Sequence, residues 1–317
     1  LSPLHDNHPT TACLRDPILR RARLIYVDAP PRTDIRTNLS TMARSWISGI
    51  GLCLTLVSCT PEQTDNHSDI WPRGHTHMAD ASFQQGVGLL ALDGVQTQWL
   101  TGQGTASFTL LLSIDLARFE PNLIAKPDIG ISVRAAMLET GADIVLGSGF
   151  VSEAHSLDPV GLLHVSGSTL SPLEPYGYTR ILGFNDSGFG VVHRNAFQRD
   201  MFTSAFQAGP GIIEKGLLDI SERDLQRPMY YRSFVALCHN GNHQQVQLGI
   251  TTVPTHLRTL GQLLLQHYAA TGAQCQEVVN LAGDRQAVLA IRAGEGLLYH
   301  GDIETHKVTL LSFKRGS

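Results

Sequence analysis

The sequence predicts an α+β domain with a mixed β-sheet and few helices. Short apolar segments with strand-like patterns recur from about residue 83 onwards in the 317-residue chain. Segments with helical periodicity are fewer, and they lie far apart in the sequence. Because predicted strands outnumber predicted helices, we expect a sheet framework against which separate helices pack.

Two helices are predicted together with their ends. Ser132 is a suitable N-cap for a helix that continues to Thr140, and Gly141 ends it. The clearest helix spans 254–270, with a proline near its start and Gly272 after its end. Its apolar face is formed by Leu257, Leu260, Leu264 and Tyr268. This spacing is typical of core packing and is not assigned to a site.

The remaining segments predict strands and loops. Three hairpins are predicted: 86–92 with 96–100, 181–184 with 190–193, and 234–238 with 244–250. Further strands are predicted at 107–115, 144–146, 159–165, 277–281 and 308–313. Two segments, 121–127 and 171–178, are predicted as loops.

Composition and charge exclude several classes of protein. Hydrophobic residues make up 42% of the chain and the net charge is −4, which is typical of a globular protein rather than a disordered one. Lysine and arginine are scattered, so nucleic acid is not an expected partner. No two of the 14 histidines have a convincing metal-ligand spacing, and no metal site is assigned. We expect His155, His164 and His193 to be hydrogen-bonded or exposed rather than catalytic.

The five cysteines divide by position. Cys13, Cys53 and Cys59 precede the predicted domain, and Cys238 and Cys275 lie within it. No Cys-x-x-Cys motif occurs, which argues against a zinc cage or a redox motif. If the domain is exported, Cys238 and Cys275 could form a disulfide. Two buried free thiols are the alternative.

The N-terminal part predicts export. Residues 1–41 show little periodicity and are interpreted as an upstream extension before a start at Met42. The apolar run 46–57 has about the length of a signal-peptide core and is too short to span a bilayer. It continues into Leu-Val-Ser-Cys, which resembles a bacterial lipobox. We therefore predict a lipoprotein signal peptide at 42–59, with Cys59 lipidated; a buried helix or strand is the alternative.

The rest of the chain divides into a linker and a domain. Residues 60–82 are polar and contain prolines and several histidines, so they are predicted to be a flexible linker. The domain is predicted at 83–317. With the signal peptide, this order predicts a membrane-anchored lipoprotein on the periplasmic or extracellular side of a bacterial envelope.

Two turns at predicted strand ends carry polar residues. The turn 282–285 follows the strand 277–281, and Gly147-Ser148-Gly149 follows the strand 144–146. Polar groups at the end of a buried strand lie at the rim of a core, where sites are often found. We therefore expect these two strand ends to form the sides of one pocket.

Four motifs occur in the order seen in a known family. They are Gly147-Ser148-Gly149-Phe150; Glu153 followed by Pro159-Val160-Gly161-Leu162; Gln207-Ala208-Gly209-Pro210 followed by Arg232-Ser233; and the segment from Cys275 to Gly283. Their order and spacing resemble the phosphodiester glycosidase family, which includes the uncovering enzyme of lysosomal targeting, an N-acetylglucosamine-1-phosphodiester α-N-acetylglucosaminidase. The resemblance covers about residues 83–313.

The chain departs from the family pattern at two positions. The family's Asn falls on Gly147, and the Asp of its Leu-Asp-Gly motif falls on Ala282. Asp284 follows two residues later and is a candidate for the missing carboxylate. A shift of this size across a turn moves a carboxylate by several Å, so the replacement is not trivially equivalent.

The resemblance implies cleavage of the bond between an anomeric carbon and a phosphodiester. Glu153 would then be the base or nucleophile, Asp284 the second carboxyl group, and Arg232 the group that neutralises the phosphate. The substrate-binding residues would be Gly147, Ser148, Gly149, Gln207, Gly209 and Asn280. No cofactor is predicted, although the carboxylates leave a hard cation such as Ca²⁺ open.

Each assignment has a structural alternative. Glu153 would otherwise be a solvated loop carboxylate, and Arg232 a partner in a surface salt bridge. Asp284 would otherwise bond to the backbone of its own turn, and Gln207 would hold a turn in place.

Together these inferences predict an exported lipoprotein that hydrolyses a sugar-1-phosphodiester in envelope or extracellular polysaccharide. Its partners would be that glycan and the membrane that holds the lipid anchor. The alternative is a catalytically degenerate glycan-binding or structural envelope lipoprotein, which the departures at Gly147 and Ala282 favour.

Overall fold

The structure of the protein is a computed structural model that describes residues 76–101, 108–152, 157–240 and 243–316. The upstream extension, the signal peptide with Cys59, and the catalytic candidate Glu153 lie outside the described residues. Predictions about them stay predictions.

The described residues form an α+β fold, which confirms the predicted class. Its helices are α1 (Thr76–Gly88), α2 (Val133–Thr140) and α3 (Leu257–Thr271). Its strands are β1 (Val95–Thr101), β2 (Phe108–Asp115), β3 (Phe119–Ala125), β4 (Ile144–Gly147), β5 (Phe150–Val151), β6 (Pro159–Val160), β7 (Leu163–Val165), β8 (Ser168–Ser171), β9 (Arg180–Asn185), β10 (Gly188–His193), β11 (Ser204–Ala208), β12 (Gly211–Glu214), β13 (Leu217–Leu218), β14 (Arg232–Asn240), β15 (His243–Thr251), β16 (Gln274–Gly283), β17 (Leu289–Ala293), β18 (Gly296–His300) and β19 (Thr309–Arg315).

These strands form three larger sheets and one two-stranded ribbon. The orders are β1-β2-β15-β14-β16-β12-β13, β10-β9-β11-β7-β8 and β18-β17-β4-β19-β3, with β5-β6 as the ribbon. All pairings between these strands are antiparallel. The two strands whose ends are predicted to form a pocket, β4 and β16, therefore belong to different sheets.

One hydrophobic core joins the three sheets. Its buried residues include Leu112, Leu146, Leu182 and Leu281. Helix α3 covers the other face of the seven-stranded sheet through Leu260 and Leu264, as predicted. Helix α2 covers the outer face of the sheet that contains β4. Apolar burial on both sides of these sheets fixes the positions of the strand ends that carry the candidate site.

Side-chain hydrogen bonds cap the N-terminal turns of α2 and α3. The Ser132 hydroxyl accepts an N–H three residues later at 3.1 Å, and Gly141 is left-handed with φ 69°, as the sequence predicts. Helix α3 begins at Leu257, later than predicted, because its first turn is capped from elsewhere. The Asp224 carboxylate accepts the Arg258 N–H at 2.9 Å.

The predicted hairpin of 86–92 with 96–100 is wrong. Helix α1 extends through the first half of that segment, and β1 pairs with β2 instead. Phe83 and Val87 are both buried, and their four-residue spacing is helical. Helix α1 also begins inside the segment predicted as linker.

The predicted loop at 121–127 is also wrong. Strand β3 pairs along its whole length with β19, with Pro121 opposite Phe313. It lies at the edge of its sheet. A proline that lacks an N–H is tolerated in an edge strand, so it does not break β3.

The other two predicted hairpins are confirmed as β9–β10 and β14–β15. Cys238 and Cys275 form a disulfide between β14 and β16, where they are direct cross-strand partners. This resolves the alternative left open by the sequence. None of the described helices combines the length and the apolar character needed to cross a membrane.

Candidate functional site

The ends of β4 and β16 meet directly. The Ala282 N–H donates to the Ser148 carbonyl at 3.2 Å. The Ser233 hydroxyl lies 2.8 Å from the Ala282 carbonyl and 3.1 Å from the Gly147 carbonyl. Ser233 is fully buried and follows Arg232, so it ties both strand ends to the start of β14.

A third segment, the turn between β11 and β12, joins the same place through Asn280. The Gly209 N–H donates to the Asn280 carbonyl at 2.8 Å, and the Asn280 Nδ2 donates back to the Gly209 carbonyl at 3.1 Å. Gly209 has φ 129°, and a Cβ there would lie 2.9 Å from the Thr179 nitrogen. Only glycine fits this position without strain. The three segments that the sequence singled out therefore converge around the end of β16.

Arg232 lies over this junction rather than on a remote surface. It is the cross-strand partner of Gly283, and its Nη1 lies 3.8 Å from where a Cβ on Gly283 would be. Its guanidinium stacks 4.8 Å from the centre of the Tyr230 ring, and its Nε contacts the Thr255 carbonyl at 3.5 Å. The side chain is half-buried, and burial lowers the pKa of its guanidinium. Such a cation is partly desolvated, which strengthens its attraction for an anion.

Asp284 lies beside Arg232 and is bound to the backbone of Tyr231. Its N–H donates to the Tyr231 carbonyl at 3.1 Å, and its carboxylate accepts a Tyr231 backbone hydrogen bond. Its φ of 49° is left-handed. Burial raises the pKa of its carboxyl, while the Tyr231 bond and then Arg232 oppose the rise. Asp284 and Arg232 are not among the direct ion pairs of the described residues.

Gly147 and Ala282, the two positions where the chain departs from the family pattern, are both buried. A Cβ on Gly147 would lie 1.9 Å from the Gln286 carbonyl oxygen, so no side chain fits there. Ala282 is buried, and both its N–H and its carbonyl are hydrogen-bonded. The turn that follows β16 therefore occupies the space that an Asn side chain at position 147 would need.

Gln207 makes four hydrogen bonds to the backbone. Its Oε1 accepts N–H groups of Leu162 at 3.0 Å and Glu174 at 2.8 Å, and its Nε2 donates to the carbonyls of Glu174 and Tyr178 at 2.8 Å each. These bonds use the full capacity of an amide. The contacts match the structural alternative, in which Gln207 holds the backbone in place and has no amide group left for a ligand.

Two buried oxygens at the junction have no hydrogen-bond partner within the part of the chain that the structure describes. They are the Ser148 Oγ and the Asn280 Oδ1. A buried polar atom without a partner costs roughly 1–3 kcal/mol. Ser148 and Asn280 are therefore the predicted substrate-binding residues whose side-chain oxygens could accept a hydrogen bond from a ligand. Gly149 contributes no side chain and packs against Thr309, where a Cβ would lie at 2.6 Å.

A buried arginine next to the third segment, not predicted from the sequence, pairs with two carboxylates that remain partly exposed. Arg180 is 4% exposed and lies 2.8 Å from Asp219 and 3.0 Å from Glu214. A Cβ on Gly211 would lie 2.8 Å from both Arg180 and Asp219. These ion pairs therefore hold the turn between β11 and β12 in place. An arginine that opens an apolar strand gives no local signal of such burial.

Two of the three histidines considered in the sequence make hydrogen bonds, and the third lies outside the described residues. The His164 Nδ1 lies 3.0 Å from the Thr169 hydroxyl, and the exposed His193 accepts the Asn195 N–H at 3.3 Å. His155 lies outside the described residues. Within the described ranges, no group of three or more His, Cys, Asp or Glu side chains is arranged to hold a metal ion.

Two open cavities of the described surface lie elsewhere. One of about 660 Å³ lies beside β1 and β2, and one of about 580 Å³ lies beside β7 and the segment before β11. Neither is lined by a predicted site residue. The candidate site is defined by the convergence of three segments around the end of β16.

Comparison with solved structures gives the class of fold. The catalytic domain of zebrafish N-acetylglucosamine-1-phosphodiester α-N-acetylglucosaminidase, auto-inhibited by its pro-peptide, is 12% identical with a TM-score of 0.50, over 69% of this chain and 82% of that chain. A hypothetical protein from Synechocystis is 11% identical with a TM-score of 0.47, over 69% and 61%. A protein from Burkholderia pseudomallei named as exported is 11% identical with a TM-score of 0.46, over 68% and 76%.

No family model and no curated protein matches the sequence. At these identities the likeness concerns the fold alone. The described domain thus has a fold similar to that of the zebrafish catalytic domain.

Proposed function

We propose that this chain is an exported lipoprotein whose domain hydrolyses a glycosyl phosphodiester of envelope or extracellular polysaccharide. The observation that carries the proposal is the juxtaposition of Arg232 and Asp284 at the junction of β4, β14 and β16. The similarity of the fold to a phosphodiester glycosidase domain supports the same substrate class.

The roles of the two residues follow from the chemistry of the bond. A phosphodiester is a weakly basic leaving group, so it needs charge neutralisation more than a proton donor. Arg232 would bind its oxygens, since a guanidinium donates to two oxygens at once and stays charged. Asp284 would act on the other side of the anomeric carbon as a base that activates water, or as a nucleophile. A carboxyl of raised pKa is a stronger base once it is ionised.

A second candidate function is glycan binding without turnover. The packing of Gly147 against the Gln286 carbonyl favours it, because a polar side chain of the resembled family has no space there. The use of the whole Gln207 amide by the backbone points the same way. In this case Arg232 would still hold the phosphodiester.

Hydrolysis of methyl N-acetylglucosamine-1-phosphate by the purified chain tests the proposal. We expect release of the sugar above background, and a loss of at least about a hundredfold in Arg232→Ala and Asp284→Asn. Arg134→Ala is the matched control, because Arg134 is an exposed arginine that pairs with Glu304 and is not one of the junction residues. Binding without release would favour the second candidate. Release that is equal in all four proteins would contradict the roles of both residues.

The lipid anchor is tested separately in a bacterial host. We expect a clickable palmitate analogue to label the protein and a Cys59→Ala variant to lose both the label and the membrane fraction. Equal labelling of the variant would contradict the proposed anchor and leave the enzymatic proposal unaffected.

A further inference from the structure

The cavity of about 580 Å³ beside β7 lies outside the site proposed above. It is lined by, among others, His164, Thr169, Arg199, Asp200, Phe202 and Thr203. None of these residues takes part in the junction of β4, β14 and β16. It is an open depression of the surface rather than an enclosed pocket.

An aromatic ring in this cavity rests on a pair of glycines. Gly183 in β9 and Gly190 in β10 are direct cross-strand partners. A Cβ on Gly183 would lie 2.3 Å from the Phe202 ring, and one on Gly190 would lie 2.9 Å from it. Both strands therefore lack side chains where the ring lies against the sheet. Phe202 is half-buried and also lines the cavity, so the ring forms a flat apolar surface there.

The backbone on both sides of Phe202 is fixed to β9. The Asn185 Nδ2 donates to the Met201 carbonyl at 2.8 Å. The Thr203 N–H donates to the Phe184 carbonyl at 3.0 Å. The ring is therefore held in position before a ligand arrives, which lowers the entropic cost of binding.

The opposite rim of the cavity is the tight turn between β7 and β8. Ser166 and Gly167 both have positive φ, 49° and 80°. The Gly167 N–H donates to the Thr203 carbonyl at 3.0 Å, and the Ser166 N–H donates to the Ser204 hydroxyl at 3.2 Å. These bonds attach the rim to the segment that carries Phe202, so the two sides of the cavity are fixed relative to each other.

The polar groups around the ring are of mixed type. Arg199 and Asp200 are exposed neighbours of opposite charge, which disfavours a strongly charged ligand of either sign. His164 is 4% exposed, and its Nδ1 contacts the Thr169 hydroxyl at 3.0 Å. Donors and acceptors of this kind suit hydroxyl groups, which both donate and accept.

We infer that this cavity is a binding subsite for an uncharged saccharide unit. The C–H face of a pyranose packs on the Phe202 ring, and its hydroxyls bond to the Arg199, Asp200 and His164 side chains. The subsite would hold a neighbouring part of a polysaccharide and does not depend on whether the chain cleaves a phosphodiester.

The inference is tested by titrating the ¹⁵N-labelled full chain with N,N′-diacetylchitobiose and cellobiose. With at least one of the two sugars we expect binding with a roughly millimolar dissociation constant and amide shifts at 164–169 and 199–203. Phe202→Ala should weaken binding at least tenfold. Arg199→Ala and Asp200→Asn alter exposed side chains, so they test the polar contacts in a folded protein, and each should weaken binding severalfold.

Arg134→Ala is again the control and should bind as the parent does. The inference would be overturned if neither sugar shifts the amide signals at a sugar concentration roughly ten times a millimolar dissociation constant. Shifts confined to other parts of the chain would overturn it as well. Affinities that are unchanged in Phe202→Ala, Arg199→Ala and Asp200→Asn would also do so.

Discussion

The hydroxyl oxygen of Ser233 lies 3.1 Å from the carbonyl oxygen of Gly147, 86 positions away in the sequence. The same hydroxyl lies 2.8 Å from the Ala282 carbonyl. A hydroxyl has one hydrogen, so it donates to one of the two carbonyls at a time. This contact brings the ends of β4 and β16 next to Arg232, and the proposed site depends on it.

Removing this hydroxyl should loosen the junction. Ser233→Ala leaves buried carbonyls with fewer donors, and we expect the free energy of unfolding to fall by about 1–3 kcal/mol. Denaturant unfolding measures the change. Ser221→Ala is the control, because Ser221 is exposed and its side chain makes no capping bond. A Ser233→Ala variant as stable as the control would show that the hydroxyl does not hold the strand ends.

A methyl group at position 147 should be poorly tolerated. The new Cβ would overlap the Gln286 carbonyl oxygen, so we expect Gly147→Ala to lower the free energy of unfolding by about 3 kcal/mol or more. Gly88→Ala is the matched control, since nothing lies within 4 Å of a Cβ there. The same thermal or denaturant unfolding curves compare the two variants. Equal stability of the two variants would mean that the turn after β16 does not pack closely against Gly147 in β4.

A buried lysine should make the free energy of unfolding depend on pH in the alkaline range. The Lys307 side chain is fully buried, and its Nζ donates to the Arg285 carbonyl in the turn that carries Asp284. Burial lowers the pKa of Lys307 from 10.5, although Asp302 opposes the shift. Between the lowered pKa and 10.5 the unfolded chain binds more protons than the folded chain. The contribution of this residue to stability therefore rises with pH in that window.

The Lys307→Met variant removes this titration. We expect the difference in unfolding free energy between parent and variant to move in favour of the parent as pH rises towards 10.5. Urea unfolding at a series of pH values measures it, with the exposed Lys314→Met as control. A difference that stays constant with pH would contradict the assignment of Lys307 as a buried charge.

The disulfide should contribute substantially to stability. Cys238 and Cys275 are 37 positions apart, and closing a loop of that size stabilises the folded chain by about 4 kcal/mol in the chain-entropy account. We expect the double variant Cys238→Ala, Cys275→Ala to unfold at correspondingly lower denaturant concentration. A mass shift of two hydrogens on reduction of the parent checks that the bond is present. Absence of that shift would contradict the disulfide.

Local patterns were sufficient for many elements of this fold. Ser132 and Gly141 set the ends of α2, and the spacing of Leu260 and Leu264 predicted the buried face of α3. The strand at 86–92 was mispredicted because Val87 lies in an apolar run whose helical partner, Phe83, falls just before it. Strand β3 was missed because Pro121 indicates a loop unless the strand lies at an edge.

The candidate site was predictable only in part. Motif order indicated that the segments of Gly147, Gly209 and Ala282 lie together, and their backbone contacts agree. The sequence could not show that the Gln207 amide is used by the backbone, since its partners lie 29 to 45 positions away. Nor could it show the burial of Arg180, which depends on tertiary contacts with Asp219 and Gly211.

In both candidate functions, we propose that Arg232 binds the phosphodiester, whether or not cleavage follows. Calorimetric titration of the parent, Arg232→Ala and Arg134→Ala with methyl N-acetylglucosamine-1-phosphate measures this contribution. We expect Arg232→Ala to bind at least tenfold more weakly, because a charge-assisted hydrogen bond contributes about 1.5–3 kcal/mol, and Arg134→Ala to bind as the parent does. Equal affinity of all three proteins, or no binding by the parent, would contradict the claim.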